Sequence, residues 1–267
     1  MSRLTVTTEV NNRNRPNDVL AKIRRLEALA ARAWPAKDEI YDGVWVKRET
    51  SGIVFNNVNC VVPLDPDDDH DIANRVKRLC FENGIFNRPL RLTPLAPLKL
   101  FEYLQQHGWF NSSDVTVMAL EQRPHLVASD VTMQEIDIAT YAKISARHRI
   151  NNKNDDAAMQ ELLGRIKGSP TFLQFSHNGN VIGNLVVVHD FKQAGLIDFS
   201  IRIDRRGRGL GKAALQTVLG HLLKKSSAIP VQSFWVEVET QNSVAWRLFD
   251  KAGFKTVYHC QYWRLGA

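Results

Sequence analysis

The chemistry of this 267-residue chain is densest at Arg206-Gly207-Arg208-Gly209-Leu210-Gly211-Lys212. The segment follows an apolar, strand-like run and opens a helical one. Helix N-termini leave amide N–H groups unpaired and carry partial positive charge. Glycines let the backbone come close to a ligand. Arg206, Arg208 and Lys212 add full positive charges. Together these features make an anion cradle suited to a diphosphate.

Several patterns compete for this turn. A triphosphate-binding P-loop needs Gly, four residues, then Gly-Lys and Ser or Thr. Arg206 stands at the first Gly position and Ala213 at the last, which removes that reading. Gly209, Gly211 and Ala214 satisfy the dinucleotide form G-x-G-x-x-A. An acidic residue is then due roughly twenty residues on, and Glu237 and Glu239 come late. A hairpin, not a parallel β-α-β unit, also precedes the turn. The bland alternative is a tight turn with solvated arginines.

The surrounding elements must position this turn. Hydrophobic periodicity predicts helices over 134–149 and 155–167. Strands follow at 172–176 and 181–189, joined at Asn178-Gly179, a hairpin signal. Then come a strand at 196–203, a helix at 209–225, a strand at 233–239, a helix at 242–252 ended by Gly253, and strand structure over 254–265. This order predicts a mixed α/β fold around one sheet. Upstream, 1–17 is a polar arm. Asp18 is placed to cap a helix with Leu20, Ile23, Leu26, Leu29 and Ala30 on one face, stopped by Trp34-Pro35. Strands are predicted at 43–47 and 59–64, a helix at 72–83, a strand at 90–94, a helix at 98–107 and a strand at 115–120. Arg123-Pro124 breaks the pattern, so the domains are expected to be 1–122 and 123–267.

Asp65, Asp67 and Asp69 superficially resemble calcium ligands. A calcium loop needs Gly at its sixth position and Glu at its twelfth, and here these are His70 and Val76. Carboxylates favouring a helix N-terminus explain the cluster better. The eight histidines show no metal-ligand spacing, so no metal is expected.

Composition excludes whole classes. Apolar residues are 44% and charged residues 24%, which argues against collagen-like, disordered and disulfide-scaffold chains. The net charge of +7 favours an anionic ligand without declaring a nucleic-acid binder. Arg202, Arg205, Arg206, Arg208 and Lys212 crowd one turn with no aromatic platform between them, which argues against nucleic acid. Cys60, Cys80 and Cys260 are odd in number and far apart, pointing to a reducing compartment and a cytoplasmic location. No apolar run reaches the roughly 18 residues of a membrane helix, and the arm lacks a secretory core.

Arg206-x-x-Gly209-x-Gly211 after a strand resembles the coenzyme A pyrophosphate loop of the GNAT N-acetyltransferase family. Downstream, Asn242-x-x-Ala245-x-x-Leu248-Phe249-x-x-x-Gly253-Phe254 is similar to that family's closing signature, Asn-x-x-Ala-x-x-Leu-Tyr-x-x-x-Gly-Phe. The likeness spans 172–264. Ala33-Trp34-Pro35, Asn59-Cys60-Val61-Val62-Pro63-Leu64-Asp65, Arg91-Leu92-Thr93-Pro94-Leu95-Ala96-Pro97 and the tail from Tyr258 to Arg264 resemble a bacterial GNAT subfamily with an N-terminal extension. That subfamily often carries an Arg near the position of Asn57, which this chain lacks. A weak internal repeat, 101–109 against 246–254, marks the first half as a degenerate GNAT-like unit. It has no glycine-arginine loop, so it is not expected to bind coenzyme A.

The resemblance implies a GNAT fold, with a mixed, mostly antiparallel sheet flanked by helices. It implies acetyl-coenzyme A as cosubstrate. Ile201, Arg202 and Ile203 would meet its pantetheine arm, one amide acting as an oxyanion donor. Arg206, Gly207, Arg208, Gly209, Leu210, Gly211 and Lys212 would hold the pyrophosphate, and Asn242, Ala245 and Phe249 would complete the site. A primary amine, on a small molecule or a protein, would attack the thioester directly. Asp198 and Glu239 are candidate bases, and each also reads as a salt bridge or solvated strand end. Phe249 replaces the family's proton-donating Tyr, leaving water, Tyr258 or Tyr262 to protonate the thiolate. The runner-up function is a catalytically weak coenzyme A-binding sensor or scaffold. The first domain would wall the acceptor pocket or mediate dimerisation.

Overall fold

The structure, a computed structural model, describes residues 16–148, 156–224 and 230–266. Residues 1–15 of the polar arm 1–17 lie outside the described residues, as do the end of the predicted helix 134–149, the start of the helix 155–167 and the end of the helix 209–225. In chain order the elements are α1 (Pro16–Ala33), β1 (Asp38–Asp42), β2 (Trp45–Glu49), a short 3-10 turn (Asn56–Val58) and β3 (Cys60–Pro63). Next come α2 (Ile72–Cys80), β4 (Phe81–Glu82), β5 (Ile85–Phe86), β6 (Leu90–Leu92), α3 (Leu98–Gln106) and β7 (Trp109–Leu120). Then follow β8 (Thr132–Glu135), α4 (Ile138–His148), α5 (Asp156–Gly164), β9 (Ser169–His177), β10 (Asn180–Asp190) and β11 (Gln193–Ile201). A second 3-10 turn (Ile203–Arg205), α6 (Leu210–Lys224), β12 (Ser233–Glu239), α7 (Ser243–Lys251) and β13 (Lys255–Leu265) complete the order.

The chain divides into two units. One comprises Met1–Val117, Val238–Gln241 and Thr256–Ala267, and the other Met118–Glu237 and Asn242–Lys255. The division falls within β7, β12 and β13.

In the first unit the strands run β1-β2-β3-β6-β13-β7. β1–β2, β2–β3 and β6–β13 pair antiparallel, and β3–β6 pair parallel. Trp45, Val61, Val76, Leu90, Leu92, Leu100, Leu104 and Trp109 form its buried core. Helix α1 starts before Asp18, with Pro16 in the first turn, where its fixed φ and missing N–H do no harm. Asp18 adds negative charge in that turn. Ile23, Leu26, Leu29, Ala30 and Ala33 are buried, the face that the periodicity picks out. The C-terminal carbonyls of α1 are met by a distant side chain, Arg48. Its Nη2 donates to Ala31 O at 3.1 Å and Trp34 O at 2.6 Å, and its Nη1 donates to Asn57 O.

A second buried charge ties α1 to the sheet. Arg91 on β6 donates Nε and Nη2 to the Glu27 carboxylate at 3.1 and 2.8 Å, and Nη1 to the Tyr262 hydroxyl at 2.7 Å. The Tyr258 hydroxyl donates to Glu27 Oε1 at 2.6 Å. Burial alone would raise the Glu27 pKa. The Arg91 charge and the hydrogen bonds from Arg91 and Tyr258 outweigh burial and hold it below the ordinary carboxylate value. Burial, reinforced by the Glu27 charge, pushes the Tyr258 hydroxyl well up.

Three sequence expectations are corrected here. Strand β1 escapes periodicity because its residues are mostly exposed, and pairing with β2 alone defines it. The helix predicted to Asn83 stops at Cys80, because Phe81 turns extended and Asn83-Gly84, both at positive φ, close the β4–β5 hairpin. The acidic cluster 65–71 serves ion pairs more than the α2 cap. Asp68 meets Arg75 at 2.8 Å, Asp69 meets Lys99 at 2.7 Å, and Asp71, the N-cap, makes no side-chain cap bond.

The second unit orders its strands β12-β11-β10-β9-β8. Pairing is antiparallel from β8 through β11 and parallel between β11 and β12. Asn178 and Gly179 sit at φ 51° and 74°, as the hairpin signal predicts. The helix expected from Gln134 begins at Ile138 instead. Thr132–Glu135 pair with β9, and the Asp137 carboxylate accepts the Thr140 amide at 2.9 Å and its hydroxyl at 2.6 Å. Those Thr140 bonds hold the Asp137 carboxyl below its ordinary pKa.

The repeat seen in sequence is a repeat in local geometry. Helices α3 and α7 each have 9 residues, and each leads through a positive-φ glycine, Gly108 or Gly253, into a long strand.

Glu27→Gln leaves Arg91 buried beside a neutral partner and should destabilise the chain by about 3–5 kcal/mol. Because the folded-state pKa of Glu27 is depressed, its contribution is present above the unfolded carboxylate pKa. It is lost as pH falls through the folded value. Melting temperature against pH should therefore fall less steeply in acid for Glu27→Gln than for the wild type. Parallel curves would refute the assignment.

Candidate functional site

The site is built on β11. Its parallel register with β12 couples Gln193 to Ser233, Ala194 to Phe234 and Gly195 to Trp235. Residues 196–201 lie beyond that register. Gly195 is required where the register ends, because a Cβ there would enter the Trp235 indole.

On its other side β11 follows β10, but not regularly. Ile197 pairs with Val186 and Ser200 with Asn184, so Asp198 and Phe199 stand opposite Leu185 alone. This is a β-bulge. Asp198 takes φ 54°, a left-handed conformation that costs a non-glycine residue about 1–3 kcal/mol unless its surroundings over-determine it.

They do. Asp198 Oδ2 accepts the Ser145 hydroxyl at 2.6 Å and the Tyr141 hydroxyl at 3.0 Å, both from α4. Asn184 Nδ2 donates to the Tyr141 hydroxyl oxygen at 2.8 Å and to Asp198 O at 3.2 Å. Asn184 Oδ1 accepts the Ser200 hydroxyl at 2.7 Å. Tyr141, Ser145 and Asn184 are buried. Phe199 packs edge-on between Phe175 and Phe249, at 5.9 and 6.1 Å between ring centroids.

Beyond β11 comes the glycine turn. Gly207 and Gly209 sit at φ 74° and 77°, with no atom within 4 Å of where a Cβ would stand. The turn thus needs glycine for its backbone angles and leaves open space over it. The Ala213 amide donates to Gly209 O at 3.1 Å, a bond of helical spacing. The amides of Leu210, Gly211 and Lys212 precede it, where a helix offers no carbonyl of its own.

The basic residues divide by role. Arg206 Nε donates to Ile201 O at 2.8 Å, tying the turn back to β11. Arg202 is held by Asp204 at 3.1 and 3.0 Å and donates to Val181 O at 3.2 Å. Arg208 and Lys212 are exposed. A cleft of about 470 Å³ between α6 and α7 has Leu215, Val244, Leu248 and Ala252 among its apolar walls, with Lys212, Arg247 and Lys251 as cations. Asn242 is the N-cap of α7, its Oδ1 accepting the Ala245 amide at 3.0 Å.

Phe249 is buried, edge-on to Phe199 and Phe254, with 5.2 Å between its centroid and that of Phe254. Glu239 ends β12 in the first unit, exposed. Both tyrosines named as thiolate donors lie in the first unit. The Tyr258 hydroxyl is buried and donates to Glu27, and the Tyr262 hydroxyl accepts from Arg91. The sequence reading missed Tyr141, Ser145, Asn184 and Ser200. Their one sequence signal was Asn184, a lone amide within the apolar run 181–188. Among the described residues no group of three or more His, Cys, Asp or Glu is placed to hold a metal, and no helix is long and apolar enough to cross a membrane.

A strand that bulges and outruns its parallel partner, then a glycine-arginine turn, then a helix: this frame is that of a GNAT-type N-acetyltransferase. Residues 20–263 match the family described as "Probable histone acetyltransferase Rv0428c C-terminal", and the chain belongs to that family. Among solved structures, a GCN5-related N-acetyltransferase from Kribbella flavida is similar over 90% of this chain and 94% of its own, with 14% identity and a TM-score of 0.61. A functionally unknown conserved protein from Staphylococcus epidermidis ATCC 12228 is similar over 88% of this chain and 96% of its own, with 12% identity and a TM-score of 0.57. At such identities the likeness is one of fold. No curated protein matches the chain in sequence.

Gly195→Ala forces a methyl into the Trp235 ring where the β11–β12 register ends, and should destabilise by about 1–3 kcal/mol. Denaturant unfolding measures this, and unchanged stability would show that the two strands have room to spare.

Proposed function

We propose that the second unit binds acetyl-coenzyme A along β11 and the 206–212 turn, and that the protein transfers the acetyl group to a primary amine. The observation that carries this reading is the turn itself. It joins two left-handed glycines under open space to the first amides of α6, with Arg208 and Lys212 exposed beside them. A diphosphate suits that donor set.

Bound acetyl-coenzyme A would supply an activated thioester. The chain's own residues do the rest. The amides of Leu210, Gly211 and Lys212 hold phosphate oxygens, and Arg206, anchored on Ile201 O, keeps the turn in place. Lys212, Arg247 and Lys251 give the α6–α7 cleft the charge to receive the phosphorylated nucleotide end. Amides of β11 past the bulge serve as fixed donors to the reacting carbonyl. A carboxylate or water takes the amine proton, and Glu239→Gln with a kcat pH profile tests Glu239 for that task. The family description names histones, so a protein lysine is one acceptor class, beside small amines. The three cysteines are buried free thiols, which fits a reducing, cytoplasmic setting. The first domain, 1–122, is proposed as a degenerate GNAT-like unit without a donor site, a reading that the α3 and α7 repeat supports.

One observation favours the runner-up, a coenzyme A sensor or scaffold. Phe249 offers no proton where the family's motif has Tyr.

Calorimetry with acetyl-coenzyme A tests the donor site. Wild type should bind at about micromolar Kd, and Arg208→Glu with Lys212→Glu, both at exposed positions, should weaken binding at least about tenfold. No binding by wild type would end the reading. Thiol release is then followed with a lysine peptide, a free-N-terminus peptide and a polyamine. Tight binding without turnover on any of them would favour the sensor.

A further inference from the structure

We infer that Asp198 is a positioning residue, and that Tyr141, Ser145 and Asn184 form with it a clamp that aims the β11 amides at the acyl donor. This rests on the proposed donor site, and deepens it.

The clamp grips both sides of the bulge. Asn184 bonds both residues that flank Phe199. Its Nδ2 bonds Asp198 O at 3.2 Å, and its Oδ1 bonds the Ser200 hydroxyl at 2.7 Å. Tyr141 bonds Asp198 Oδ2 at 3.0 Å while accepting from Asn184 at 2.8 Å, so its single hydrogen and a lone pair are both engaged within the clamp. Ser145 adds a third hydroxyl bond at 2.6 Å. On the opposite face, Phe199 is wedged between Phe175 and Phe249.

Polar bonds on one side and rings on the other leave the backbone between Asp198 and Ser200 one course. That course sets where Ser200 and Ile201 enter the turn, which Arg206 then fastens through Ile201 O. Two hydroxyls converge on one oxygen of the Asp198 carboxylate, from side chains that are themselves buried. A base needs a lone pair presented to substrate; this carboxylate presents Oδ2 to α4. What the position demands is a side chain that tolerates positive φ and accepts hydroxyl bonds. Asp meets both demands, Asn meets both, and Ala meets neither.

The discriminating series is Asp198→Ala, Asp198→Asn and Tyr141→Phe in the full chain, each read by melting temperature, acetyl-coenzyme A calorimetry and thiol release with the amine that wild type uses. Asp198→Ala should lower kcat about tenfold or more by misaiming the β11 donors. Asp198→Asn should restore kcat to within about threefold of wild type, with the same pH profile, although an amide takes no proton. Tyr141→Phe should fall between them.

If Asp198→Asn is as inactive as Asp198→Ala while melting and acetyl-coenzyme A affinity stay at wild-type values, the carboxylate is the base and the inference is overturned. An Asp198→Ala variant indistinguishable from wild type overturns it as well. If wild type binds acetyl-coenzyme A but acetylates none of the amines, only the enzyme reading falls. Donor affinity then decides: lost in Ala and recovered in Asn supports the clamp, and equal affinities refute it. Wild type that binds no acetyl-coenzyme A refutes both.

Discussion

Backbone amides that leave a sheet or open a helix must be paired, hydrated or given to a ligand. The second unit creates two such sets and places them in succession. Strand β11 continues past its register with β12 after Gly195, and α6 begins three residues before its first helical bond at Ala213. A short turn joins them. Three contacts hold the segments that carry these donors. Trp235 covers Gly195 where the strands part, the α4 hydroxyls hold the bulge, and Arg206 ties the turn to the strand.

The two units meet the problem of buried polarity differently. In the first, the polar centre is ionic: Glu27 and Arg91, with Tyr258 and Tyr262 around them. Removing one partner strands a charge, so such a centre acts as an all-or-none tether for α1. In the second, two hydroxyls hold one carboxylate and a side-chain amide holds the backbone carbonyl of the same residue. Each bond there is directional, and their sum specifies a backbone conformation that the chain would otherwise avoid. The first arrangement secures a helix to a sheet. The second sets the course of a strand.

Phe249 stands where the family motif has Tyr. Its ring packs against Phe199 and Phe254, and it carries no hydroxyl. The same ring therefore braces the bulge from its apolar side.

Sequence alone determined the local devices: the glycine turn, the Asn178-Gly179 hairpin, the glycine that ends α7 and the apolar face of α1. Each is satisfied within a few residues, so its signal survives in a linear string. Even the family resemblance rests on two such segments. Tertiary structure decided what residues far apart do together. Arg48 caps a helix 17 residues away, Tyr258 serves Glu27 across 231 positions, and Asp198 meets α4 across 53. A carboxylate, a tyrosine or an arginine has several partners that suit it by type, and its role is set by whichever of them the fold brings within hydrogen-bonding reach. Strands β1 and β8 were hidden for a related reason. Their residues are largely exposed, and only the neighbouring strand supplies the pairing that makes them strands.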